Sequence, residues 1–221
     1  MTVKKILAEL ESLRNEMIHK HKKKRGADEK QLGVKSGDIR KIAKRLKKNH
    51  ALALELWETE ILDARMLAIL IMDPKELSSS EVNKLVRSCK YEGVADWLRN
   101  YVVKKHPDNE SLRVKWMKAK QPMAARAGWG LTWDRIGKSP DGLDLDALLD
   151  RIEAEMGEAP ELIKWYMNFC LAEIGIQFPK QRKRALAIGK AIGAYSDYPE
   201  RKGCISPYAP TWINEMVSRQ S

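Results

Sequence analysis

Two clusters of cations are the side chains whose type and spacing point most directly to chemistry. The first is His19, Lys20, His21, Lys22, Lys23, Lys24 and Arg25; the second is Lys180, Arg182, Lys183 and Arg184. Successive ammonium and guanidinium groups suit a ligand with repeated negative charge, and a nucleic-acid backbone is the first candidate. For the first run a solvated helix end is the plain alternative. The second run opens a helix after Phe178 and Pro179. There the helix dipole disfavours cations, a mild argument for an external anion such as phosphate. Metal chemistry is not expected. His19 and His21 have no Cys, Asp or Glu at a useful ligand spacing. Cys89, Cys170 and Cys204 stand too far apart for a zinc site or a redox pair and read as reduced core thiols.

The whole chain points the same way. Its 221 residues, 43% apolar, suffice for one well-buried domain or two closely packed lobes and exclude wholesale disorder. The formal charge is +11 and the pI about 9.5, which biases the chain toward a polyanionic partner. That charge is segregated: residues 1–50 hold 16 Lys and Arg against 6 acids, whereas residues 141–161 hold 8 acids against Arg151 alone. Such a division suits a protein with one face on phosphate and another turned away. The N-terminal stretch repeats apolar residues at Val3, Ile6, Leu7, Leu10, Leu13 and Met17, an amphipathic helix and not a signal peptide. No run of eighteen apolar residues occurs, so the expectation is a cytoplasmic protein without a membrane span.

Helical periodicity runs through nearly the whole sequence, with no alternating stretch between hairpin turns, so the fold class is all-α. Breaks fall at Gly33 to Asp38, Asp73 and Pro74, His106 to Asn109, Gln121 and Pro122, Lys138 to Gly142, Ala159 and Pro160, Phe178 and Pro179, and Gly203 to Pro207. Ser78 to Glu81 has the pattern of a capping box. The helices so delimited are about 10 to 17 residues long. Short helices on short loops suggest stacked helical hairpins, a single helical-repeat domain over residues 1–221 with a concave face for a long ligand. Trp57, Trp116, Trp129, Trp133 and Trp212 lie in amphipathic patterns and read as packing residues.

Several segments then resemble one family over nearly the whole chain. These are Gly33 and Val34 with Asp38 to Lys44, Leu54 to Trp57 with Ala64 to Ile69, and Ala125 to Ala127 ahead of Trp129. Ile163, Lys164, Asn168, Phe169, Leu171 and Glu173, and then Gly203 to Tyr208 with Trp212 and Ile213, continue the match. Together they are similar to the AlkD-type DNA alkylation repair family, HEAT-like repeat proteins that include glycosylases for alkylated purines. The resemblance implies a HEAT-like superhelix with a concave basic face, and duplex DNA, alkylated or branched, as partner. It implies no cofactor and no metal, and a monomer is the default.

An N3- or N7-alkylated purine is already a cationic leaving group, so the sugar is what needs help. A fixed carboxylate stabilises the positive charge that develops on the deoxyribose and positions or deprotonates water. By the resemblance that carboxylate is Asp96, in the stretch Tyr91, Glu92, Gly93, Val94, Ala95, Asp96, Trp97. Read without the resemblance, Asp96 caps or pairs near the start of a helix running from about Trp97 to Lys105. Arg126 matches the family's arginine, which implies a bidentate hold on a backbone phosphate, against an internal ion pair as the plain reading. Phe169 falls where the family places an aromatic facing the nucleotide, while its own surroundings, Trp165, Tyr166, Met167 and Leu171, read as helix core. One departure matters: active members carry paired tryptophans before the aspartate, where this chain has Tyr91 and Glu92. Glu92 can support a cation, repel the backbone or raise the Asp96 pKa. Three functions therefore stand: an alkylpurine DNA glycosylase, a noncatalytic binder of damaged or branched DNA, and a helical-repeat scaffold for an acidic protein.

Overall fold

The computed structural model describes residues 2–199 and 203–220 of the 221. Among the described residues every regular element is helical, and no helix is long and apolar enough to cross a membrane. The chain divides into two compact units, Met1–Leu112 and Arg113–Ser221.

The first unit opens with α1 (Val3–Ser12), α2 (Glu16–Lys24), α3 (Ser36–Leu46), α4 (His50–Glu58) and α5 (Leu62–Ile71). After a 3-10 turn at Pro74–Glu76 come α6 (Ser79–Arg87), α7 (Glu92–Tyr101) and a second 3-10 turn at Val103–Lys105. Helix α8 (Asn109–Trp116) carries the chain across the division. The spine is α5, which packs on α3, α4 and α7. Nine of its ten residues are buried, in keeping with a helix that is apolar nearly all round.

Two of those buried residues are charged, and each is fully engaged. Asp63 accepts hydrogen bonds from Lys22 Nζ at 2.7 Å and from the backbone N–H groups of Leu32, Gly33 and Val34 at 2.6, 3.2 and 3.0 Å. One carboxylate thus fastens α2 and the loop before α3 to the spine. The loop needs Gly33, whose φ is +73° and where a Cβ would stand 2.3 Å from the Asn15 carbonyl oxygen. Arg65 lies over the Trp57 ring at 4.7 Å and donates to the Trp57 and Ser88 carbonyls, tying α5 to α4 and to the end of α6.

The second unit holds α9 (Pro122–Lys138), α10 (Leu145–Glu155), α11 (Glu161–Gln177), α12 (Pro179–Ile192) and α13 (Ala209–Ser218). Its spine is α11, which packs on α9, α10, α12 and α13. Small residues let these helices approach. At Gly128 a Cβ would stand 2.7 Å from the Trp116 carbonyl carbon, so α9 meets the end of α8 backbone to backbone. Trp57, Trp116 and Trp129 are buried, and Trp133 and Trp212 are partly buried against the second core. Of the cysteines read as core thiols, Cys89 and Cys170 are buried, but Cys204 is exposed. Its position after Gly203, in the segment leading to α13, gives it no helix face to bury.

Candidate nucleic-acid interface

Helix α7 carries Glu92, Asp96 and Trp97, with Tyr91 as its N-cap. The helix begins five residues earlier than the sequence suggests and its regular part stops at Tyr101. Tyr91 supplies no side-chain cap, and its ring folds back over the helix start. A Cβ on Gly93 would stand 2.6 Å from Tyr91 Cε1, so this glycine is the seat for that ring. Asp96 is therefore in the second turn and does not cap a helix start. It is half-buried.

The field of the Asp96 carboxylate reaches its neighbours. Burial pushes the Cys89 thiol up to about 12, with Arg65 opposing and Asp96 adding to the rise. Burial likewise raises the Tyr91 hydroxyl, Arg25 lowers it, and Glu92 and Asp96 raise it further. Glu92 is paired with Arg25 of the α2 terminus at 3.1 Å. Trp97, one residue past Asp96, stacks beneath the Arg40 guanidinium at 4.5 Å and lies 5.5 Å from the Tyr101 ring. Arg40 also donates to the Tyr101 hydroxyl at 3.0 Å.

The first basic run is largely spent within the unit. Lys22 is buried on Asp63, Lys23 pairs with Glu29, Arg25 with Glu92 and Lys20 with Glu16, while His19 faces Glu29 at 3.7 Å. Much of this run is a structural clasp.

In the second unit the structure brings Arg126 and Phe169 to a common partner. The Arg126 guanidinium lies 4.7 Å over the Tyr166 ring and donates to the Leu162 carbonyl at 2.7 Å, and the residue is only 3% exposed. Phe169 meets Tyr166, Trp133, Trp165 and Trp212 with centroids 4.9 to 5.7 Å apart. Such edge and tilted contacts are the favoured aromatic geometry. Beside them opens a cavity of about 520 Å³ lined by Trp165, Phe169, Tyr198, Cys204, Trp212 and Arg219, among others. Tyr198 and Arg219 had no signal in the sequence, and Cys204 read only as a core thiol, because these residues come together only through the return of the chain into α13.

The second basic run also has internal partners, which removes part of the case for an outside anion. Arg182 donates to the Gly175 and Ile176 carbonyls at the end of α11, at 2.8 and 3.0 Å. Arg184 pairs with Asp150 and Glu153 of α10. Those acids and carbonyls offset the unfavourable dipole at the start of α12. Lys180 and Lys183 remain on the surface.

Comparison with known proteins follows the same lines. The family model described as DNA alkylation repair enzyme matches residues 6–213. The uncharacterized protein Lin0241 of Listeria innocua is 25% identical over 191 residues, 85% of this chain and 84% of its own length. Lmo0209 of Listeria monocytogenes is 23% identical over the same shares. A solved structure described as a new family of proteins related to the HEAT-like repeat DNA glycosylases, with affinity for branched DNA structures, superposes with a TM-score of 0.81. It is 25% identical, and the match covers 100% of this chain and 95% of that one.

Proposed function

The chain belongs to the DNA alkylation repair enzyme family, and from that premise we propose that it binds DNA and hydrolyses the N-glycosidic bond of N3- or N7-alkylated purines. The observation that carries this reading is a half-buried carboxylate, Asp96, held in the second turn of α7, whose charge acts on the Tyr91 hydroxyl. As the alkylated base departs, taking the bonding electrons and becoming neutral, cationic charge grows on the sugar. A fixed anion in a partly desolvated setting stabilises it far better than water does. Asp96 then orients a water for attack on the anomeric carbon and takes its proton, leaving an abasic site and free base. Phe169 is the candidate for facing the nucleotide and Lys180 and Lys183 for backbone contacts, whereas Arg126, buried on Tyr166 and Leu162, fastens α9 to α11 and does not reach a phosphate.

A second reading is a binder of branched DNA that excises nothing. The Arg25–Glu92 ion pair favours it, because this pair occupies the helix start beside Tyr91 where active members of the family carry paired tryptophans. The branched-DNA affinity stated for the superposing structure supports it too.

Release of 7-methylguanine and 3-methyladenine from methylated duplex, corrected for spontaneous depurination, separates the two. For the glycosylase, Asp96→Asn lowers release by at least about 100-fold, the scale of a lost general base, with DNA affinity held. No release by wild-type protein that binds a four-way junction more tightly than duplex sinks the glycosylase reading and leaves the binder.

A further inference from the structure

Helix α3 distributes its cations in two ways. Lys41 pairs with Asp38 at 3.0 Å and Arg45 with Glu9 at 2.5 Å. Arg40, Lys44 and the C-cap Lys47 instead line a groove of about 540 Å³, together with Ala43, Lys48, Leu70, Tyr101 and Lys105. No carboxylate is among its lining residues. Lys48 donates to the Leu70 carbonyl at 3.3 Å and to the Met72 carbonyl, and so closes the floor over the end of α5. Its ammonium pKa is lowered, first by burial and then by the charge of Lys105, with Asp73 opposing. Like charges are thus gathered where burial already penalises them, at a cost to the fold that an anion in the groove would offset.

Lys47 adds an independent observation. Its φ is +56° and ψ −157°, a backbone conformation that favours glycine. Positive φ with ψ near −157° is a region almost confined to glycine, yet this helix end keeps a lysine lining the cationic groove. Strain retained at a side chain of this kind is a pointer to function.

We propose that this groove is the seat of a phosphodiester backbone, with Lys44, Lys47 and Lys105 each contacting a phosphate of the bound DNA. The proposal rests on the DNA-binding reading and deepens it. The groove adjoins the candidate site through α7, because Tyr101 lines it and packs on Trp97, one turn earlier and next to Asp96 in the chain. Arg40, stacked on Trp97 and bonded to Tyr101, makes the wall between the two.

The test is fluorescence anisotropy of labelled duplex and four-way junction against salt, with thermal unfolding of the same proteins. Lys47→Gly should raise the Tm by about 2 to 4 °C as strain is relieved. It should also flatten the slope of log K against log salt by about 0.9, one phosphate contact. Lys47→Ala should flatten the slope equally with no gain in Tm, and Lys44→Ala with Lys105→Ala should flatten it by about 1.8. Wild-type binding with an unchanged slope in all these variants overturns the groove and leaves the DNA reading standing. Wild-type protein that fails to bind either DNA overturns both.

Discussion

Asp63 is the residue on which the first unit most depends, and it shows what a single buried carboxylate can do. It is fully buried, meets one ammonium and three backbone N–H groups, and so uses nearly all of its accepting capacity. Removing it leaves Lys22 and three amides without an acceptor. Asp63→Ala should lower unfolding stability by about 3 to 5 kcal/mol, the scale for breaking a buried pair from one side. A loss of less than about 1 kcal/mol by urea unfolding would show the loop anchored by other contacts. Nothing in the sequence pointed to Asp63, since an acid at the start of an amphipathic helix reads as a dipole partner. Asp96, by contrast, was legible only through family likeness, and its placement in the helix was not. Cys89 gives a pH-dependent test. Its thiol is raised from 9.0 to about 12, so the unfolded chain ionises first. Its contribution is complete below pH 9 and is lost as pH rises toward 12. In native protein near pH 8 a thiol reagent should therefore label Cys204 and spare Cys89; labelling of both at equal rates would contradict that burial.

At the scale of the element, signals carried by a few neighbouring residues were readable, whereas those depending on a distant partner were not. The capping box Ser78 to Glu81 is present as the sequence suggests, with Ser78 accepting from the Glu81 backbone and Glu81 accepting from Ser78. The start of α7 at Glu92 was hidden because its N-cap is a tyrosine with no side-chain capping bond. The α8–α9 approach was equally hidden. There two effects compete at Gly128: alanine gains up to about 1 kcal/mol in helix propensity. Its Cβ would meet the Trp116 and Met117 backbone at 2.7 and 2.8 Å, which forces the helices apart. Overpacking of that kind costs about 1 to 3 kcal/mol. Gly128→Ala should then be a net destabilisation of about 1 to 2 kcal/mol by thermal or urea unfolding, and a stabilised variant would mean the contact is loose.

For the whole molecule the question is how much of the formal charge of +11 is available to a partner. Charge counted along the sequence marks the polyanion correctly in kind but overstates the footprint, because counting is blind to pairing. The run from His19 to Arg25 is mostly clasped to acids of its own unit, and Arg184 is held by α10, in the acidic stretch that had read as a face turned away. The first unit also holds the groove on α3, whose cations are scattered in sequence between Arg40 and Lys105 and form no run to notice. The two kinds of cation therefore predict opposite results. Arg184→Ala removes as much charge as Lys44→Ala, yet it should lower stability and leave the salt slope of DNA binding unchanged. Lys44→Ala should flatten that slope by about 0.9 with little change in Tm. Equal slopes for the two variants would mean that DNA responds to net charge through the summed field and not to placed contacts. Unequal slopes, with Lys44 the sensitive one, would mean that the acids of α10 serve as internal counter-charge and that the footprint on DNA is set by position.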